Sequence, residues 1–172
     1  MEHILFGSTG EPEVAASRTS SKNDFDFFEG KWTIRNFKLK ERLQDNNDWE
    51  MFDAHQEVHK ILHGLGNMDR FITDEGEPFE GLTLRLFNPA TRLWSIYWAD
   101  SNRGTLDNPV VGSFRGTIGR FYGKDKCNGQ DVAVVFQWDK TDEDKPVWSQ
   151  AFSTDEGASW EWNWHMHFTR LR

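Results

Sequence analysis

Residues 159–170 read SWEWNWHMHFTR, and their alternation decides the fold. Trp160, Trp162, Trp164, Met166 and Phe168 take every second place, with Glu161, Asn163, His165, His167 and Thr169 between them. A period of two is that of a β-strand with one buried face, so the apolar set is expected to face a core and the polar set solvent or a covering loop. Two stretches upstream repeat the pattern. Val132, Val134, Phe136 and Trp138 share one side of DVAVVFQWD, and Trp148, Gln150 and Phe152 share one side of PVWSQAFS.

Working outward, strands are expected at about residues 31–42, 49–62, 67–74, 80–88, 92–99, 109–115, 117–123, 131–139, 146–154 and 159–170. The breaks between them carry turn chemistry: DNND at 45–48, GLGN at 64–67, NPAT at 88–91, CNGQ at 127–130 and TDEDKP at 141–146. Tight turns make consecutive strands hairpin neighbours. A meander of about ten strands curls and closes so that no edge is left open, which predicts an all-β antiparallel barrel over residues 24–172. Residues 1–23 are rich in Ser, Thr, Glu and Gly without periodicity and are expected to form a flexible arm.

Composition supports one aromatic core. The chain has 172 residues, of which 37% are hydrophobic, and 9 Trp and 14 Phe give that fraction large buried areas. A net charge of -8 without a Lys/Arg block lacks the electrostatic footprint of a nucleic-acid binder. No apolar run approaches the roughly 18 residues of a membrane span, and Ile4-Leu5-Phe6 is too short for a signal sequence, so a cytoplasmic protein is expected. The single cysteine, Cys127, lies beside an Asn128-Gly129 turn and is expected to be an exposed, passive loop residue.

In FFEGKWTI, Gly30 and Trp32 open the first strand, and the last strand ends FTRLR with Arg170 on the tryptophan face. This resembles the calycin (lipocalin-like) arrangement, in which a basic side chain from the barrel's end packs across the G-x-W tryptophan. Over residues 25–170 the chain also resembles an uncharacterised calycin-like barrel family, through FDFFEGKW, LHGLGNMD, LRLFNPATRLWSIYWADS, PVVGSF and QAFSTDEGASWEWNWHMHFTR. That resemblance implies an antiparallel barrel around a cavity, in small-molecule binders or enzymes of unknown reaction, and brings no catalytic residues with it. The likeness to nitrobindin-type haem barrels is one of architecture alone.

Several motifs suggest chemistry. Ser153, Asp155, Gly157, Ser159 and Trp160 fit S-x-D-x-G-x-[S/T]-W, the Asp box of sialidase blades. One copy reads as a hairpin device in which Asp155 and Ser153 bond the turn, Gly157 takes positive φ and Trp160 packs beneath. His165-x-His167 and His55-x-Glu57-x-His59 have strand-borne metal spacing, but both sets lie opposite the apolar face, so no metal and no cofactor are expected. No G-x-S-x-G elbow exists, Cys127 has no local base, and the carboxylates cluster in turns.

The inward aromatic wall is the strongest candidate site. Trp98, Phe136, Trp138, Trp148, Trp162 and Trp164 are expected to line the interior, Gln150 to add a polar handle, and Arg85 and Tyr97 to reach the barrel mouth, where Arg85 could hold a ligand carboxylate. The expected function is binding of a small hydrophobic or aromatic molecule, without nucleic acid or membrane, a homodimer being left open. The alternatives are an isomerase, cyclase or lyase in the same cavity, or a haem or metal protein.

Overall fold

A computed structural model describes residues 4–172. The ten expected strands all form: β3 (Gly30–Leu39), β4 (Trp49–Ile61), β5 (Gly66–Thr73), β6 (Glu80–Asn88), β7 (Leu93–Asp100), β8 (Val110–Arg115), β9 (Ile118–Cys127), β10 (Gln130–Asp139), β11 (Val147–Ser153) and β12 (Glu161–Leu171). A short hairpin, β1 (Leu5–Phe6) and β2 (Pro12–Glu13), precedes them. Each strand pairs antiparallel with the next, and β12 returns to β3, closing a ten-stranded barrel without an edge. Among the described residues the only helical turns are short 3-10 turns at Asp26–Phe28 and Leu62–Gly64, and no helix is long and apolar enough to cross a membrane.

Up-and-down pairing gives the barrel two different ends. At one end the Asp26–Phe28 turn drives Phe25, Phe27 and Phe28 into the lumen as a plug. Phe25 meets Trp94 and Phe114 edge-on with centroids 5.0 Å apart, and Phe28 meets Trp138 at 4.6 Å. Trp32 donates its indole N–H to the Phe28 carbonyl at 2.9 Å, tying the plug to the first barrel strand. The expected closing stack is present, with the Arg170 guanidinium 4.3 Å from the Trp32 ring centroid. Arg170 also donates to the carbonyls of Glu29 at 3.0 Å and Glu143 at 3.1 Å and to that of Phe27, and its Nε meets Asp144 at 2.6 Å.

The segment read as a flexible arm runs along the outside. Ile4 and Val14, like Trp160 and Trp162, pack on the cluster of Tyr122, Val135 and Ala151, and Ser17 donates its hydroxyl to the Phe114 carbonyl at 2.5 Å. Ser20 donates to the Arg92 carbonyl at 2.6 Å, and Arg92 in turn donates to the Ser17 and Arg18 carbonyls at 3.0 and 2.6 Å. Residues 1–3 of the arm lie outside the described residues.

Alternation along β12 holds only from Trp164 onward. Gln150 pairs with Trp164, but Ala151 pairs with Trp162, so Asn163 is an extra residue in a β-bulge. A bulge reverses the faces before it. Trp160 and Trp162 therefore sit on the outer cluster rather than in the lumen, while Asn163 is fully buried and accepts the Gln150 amide at 2.9 Å. Glu161 turns to the mouth of the barrel, where both of its oxygens accept the Leu43 backbone N–H at 2.9 and 3.0 Å.

Candidate functional site

The lumen is not filled. Between the phenylalanine plug and the opposite end lies a cavity of about 290 Å³, walled by Phe71, Ile96, Trp98, Phe136, Trp138, Trp148, Phe152, Trp164, Met166 and Phe168. This is close to the lower end of ligand pockets and roughly twice the 150 Å³ that encloses one benzene ring. Trp148 meets Trp164 edge-on at 5.7 Å and Phe136 at 5.0 Å, so these rings hold one another in place. Trp98 is fixed by its indole N–H on Asp100 at 3.0 Å and by stacking on Phe79 at 6.3 Å. Gly81 makes room for it: a Cβ there would stand 2.0 Å from the indole.

Of the nine residues expected at the site, Arg85, Trp98, Phe136, Trp138, Trp148, Gln150 and Trp164 line this cavity. Trp162 does not, because of the bulge at Asn163. Tyr97 does not either: it lies between the inward Ile96 and Trp98 in register with Leu84, so alternation turns it outward.

Arg85 is deep rather than at the mouth. Its guanidinium rests 4.9 Å from the Phe28 ring and donates to Asp69 at 2.7 Å and Asn67 at 2.9 Å, with both members of the ion pair buried. Burial pushes the Asp69 carboxyl up from its ordinary value, opposed by the Arg85 charge. The charge of this arginine is thus already balanced, while its Nε keeps a buried N–H without a protein partner. Gln56, Thr83 and Gln150 are the other polar side chains that reach the apolar part of the cavity.

The mouth carries the remaining charge. Lys38, Arg42, Asp100, Asn102, Arg103, Asp107, Lys124 and Asp125 reach the cavity there. Arg103 pairs with Asp100 at 3.3 Å and Asp107 at 2.9 Å, and Lys124 pairs with Glu11 at 3.5 Å. Sequence reasoning missed Lys38, although a signal was present: it shares parity with Trp32, Ile34 and Asn36, so the alternation that puts Trp32 inside puts Lys38 inside too.

The described histidines lie outside the cavity. His55 contacts Asp74, and His59 meets Glu57 at 3.4 Å, on the exposed side of β4. His165 shares a hydrogen bond with the Ser149 hydroxyl at 2.7 Å and stacks between Trp49 and Trp162, at 5.6 and 6.3 Å. Burial, then the neighbouring His167, lowers its pKa. Among the described residues no group of three His, Cys, Asp or Glu side chains is placed to hold a metal. Cys127 is half-buried against the core cluster rather than exposed, and burial raises its pKa.

The Asp box works as a hairpin brace. Ser153 donates to Asp155 at 2.7 Å and accepts from the Gly157 N–H at 2.8 Å, while Asp155 accepts from the Ser159 N–H at 2.8 Å and its hydroxyl at 2.6 Å. These bonds hold the Asp155 carboxyl down to about 2. Gly157 adopts φ of 84°, and Trp160 packs against Tyr122 at 6.2 Å. The box lies apart from the cavity lining.

No protein-family model matches the chain, and no curated protein matches it either.

Proposed function

We propose that the protein is a calycin-like barrel that binds a small aromatic or hydrophobic molecule in its lumen. The observation that carries this reading is the unfilled space itself: about 290 Å³ enclosed by interlocked indole and phenyl rings, in a barrel whose other end is plugged. A core that served stability alone would be packed to the density of protein interiors, since voids forfeit dispersion contacts. The Trp32–Arg170 stack favours the calycin resemblance. A binder rather than an enzyme is favoured because, among the described residues, the lumen holds no histidine and its fully buried ionisable groups, Asp69 and Arg85, are paired with each other.

The test is thermal unfolding and intrinsic fluorescence of the purified protein against a panel of one- and two-ring aromatic compounds. A binder at a hundredfold excess over Kd adds about 2.7 kcal/mol by mass action, which at about 2–4 °C per kcal/mol raises the midpoint by roughly 5–11 °C. A panel that shifts neither signal leaves the reading without support.

A further inference from the structure

Five cationic side chains reach the cavity: Lys38, Arg42, Arg85, Arg103 and Lys124. Three have carboxylate partners, namely Arg85 with Asp69, Arg103 with Asp100 and Asp107, and Lys124 with Glu11. Lys38 and Arg42 have none among the described residues. Their side chains engage only aromatic faces: the Lys38 ammonium lies 4.6 Å from the Trp164 centroid, and the Arg42 guanidinium 5.6 Å from Phe152 and 5.9 Å from Trp164.

The charge of Arg42 also acts on Lys38. Burial first, and then the charge of Arg42, lowers the pKa of Lys38, and burial lowers that of Arg42. Carboxylates that act on them, Glu50, Asp100, Asp125 and Glu161, do so from beyond ion-pair distance. Cys127 and then Glu161 oppose the effect of burial on Arg42, and the Glu161 carboxylate accepts the Leu43 backbone N–H rather than meeting the guanidinium. That bond, with the Asn128 amide donating to the Arg42 carbonyl at 3.4 Å, engages both polar groups of the Arg42–Leu43 peptide in the connection between β3 and β4. The guanidinium thus lies over the aromatic wall with no carboxylate at ion-pair distance among the described residues.

Two adjacent, half-buried cations are an electrostatic cost that a bound anion would remove. Resting on the proposal that the lumen binds an aromatic body, we infer that the ligand is an aromatic carboxylic acid, its ring among Trp98, Trp148 and Trp164 and its carboxylate at the mouth on Arg42 and Lys38. The planar guanidinium fork fits a carboxylate bidentately, and the ammonium adds a point charge. With about 290 Å³ available, the body is one or two rings rather than a long chain.

The experiment is calorimetric titration with 2-naphthoate and its neutral counterpart, 2-naphthamide. The acid is expected to bind at least about tenfold more tightly, the equivalent of about 1.4 kcal/mol. In Arg42→Gln and in Lys38→Met the ratio of the two affinities should shrink toward unity. Equal affinity of the wild-type protein for acid and amide overturns the inference and leaves the pocket reading standing. A preference that survives in both variants also overturns it, by placing the carboxylate elsewhere. Binding of neither compound sinks both readings. The comparison of the two ligands on the wild-type protein needs no variant to fold.

Discussion

Replacing Arg85 by Met tests how the floor of the cavity is held. The substitution keeps an unbranched side chain over Phe28 and removes the charge, leaving Asp69 buried without its 2.7 Å partner. Removing one member of a buried pair typically costs about 3–5 kcal/mol, because the remaining charge is uncompensated. For a chain of this length that lowers the melting midpoint by roughly 6–20 °C, at about 2–4 °C per kcal/mol. The cost should depend on pH with a definite sign. The Asp69 pKa is already raised by burial, and without Arg85 it rises further. A carboxyl with a raised folded-state pKa loses stability as pH rises from its unfolded value through its folded one, so the variant should be least impaired at acid pH and most impaired above neutral. Adding Asp69→Asn to the variant should restore more than half of the loss and flatten the pH dependence. Thermal melts of wild type, single and double variants between pH 4 and 8 read all of this. A single variant within about 1 kcal/mol of wild type, or a double variant no better than the single, would refute the reasoning.

Three further perturbations follow from the same contacts. Arg170→Ala removes the stack on Trp32 and the donors to three carbonyls, and should cost about 2–4 kcal/mol in denaturant melts, whereas Arg172→Ala, whose side chain is 79% exposed, should change stability by less than about 0.5 kcal/mol. Gly81→Ala should cost about 1–3 kcal/mol by forcing the Trp98 indole out of place, and should shift the fluorescence spectrum; an unchanged spectrum and melt would mean that Trp98 has room elsewhere. Asp155 has a folded pKa of about 2 against an ordinary 3.8, so its contribution is complete above about pH 4 and is lost as pH falls through 2. Wild type should therefore exceed Asp155→Asn in stability by a constant margin above pH 4 that closes toward pH 2, and a margin independent of pH would count against the hairpin brace.

The strands were legible because period-two patterning and turn residues act locally, and each expected segment corresponds to a barrel strand. The faces were legible only where the ladder is regular. Asn163 is a bulge because β11 and β12 shift register between Gln150 and Ala151, and register belongs to two strands at once. Reading β12 alone placed Trp162 with Trp164, when the bulge separates them. The plug was half visible: Phe25, Phe27 and Phe28 were in plain sight, but only tertiary packing turns three consecutive-looking rings into the stopper of a lumen. Arg85 could be placed on a strand facing inward, yet its partner Asp69 is opposite Thr83 rather than Arg85 in the ladder and reaches it diagonally. Lys38 could have been read from strand parity. Arg42 could not, since its direction is set by the Leu43–Glu161 bond across 118 residues of chain.

Whether the lumen takes an aromatic ligand is decided by diffraction from crystals grown with the tightest-binding compound of the aromatic panel. Ligand density is expected inside the barrel, in contact with Trp98, Trp148 and Trp164, with Arg85 below it and the mouth cations above. Density confined to the outer surface, or a lumen closed by rearranged rings, would contradict it.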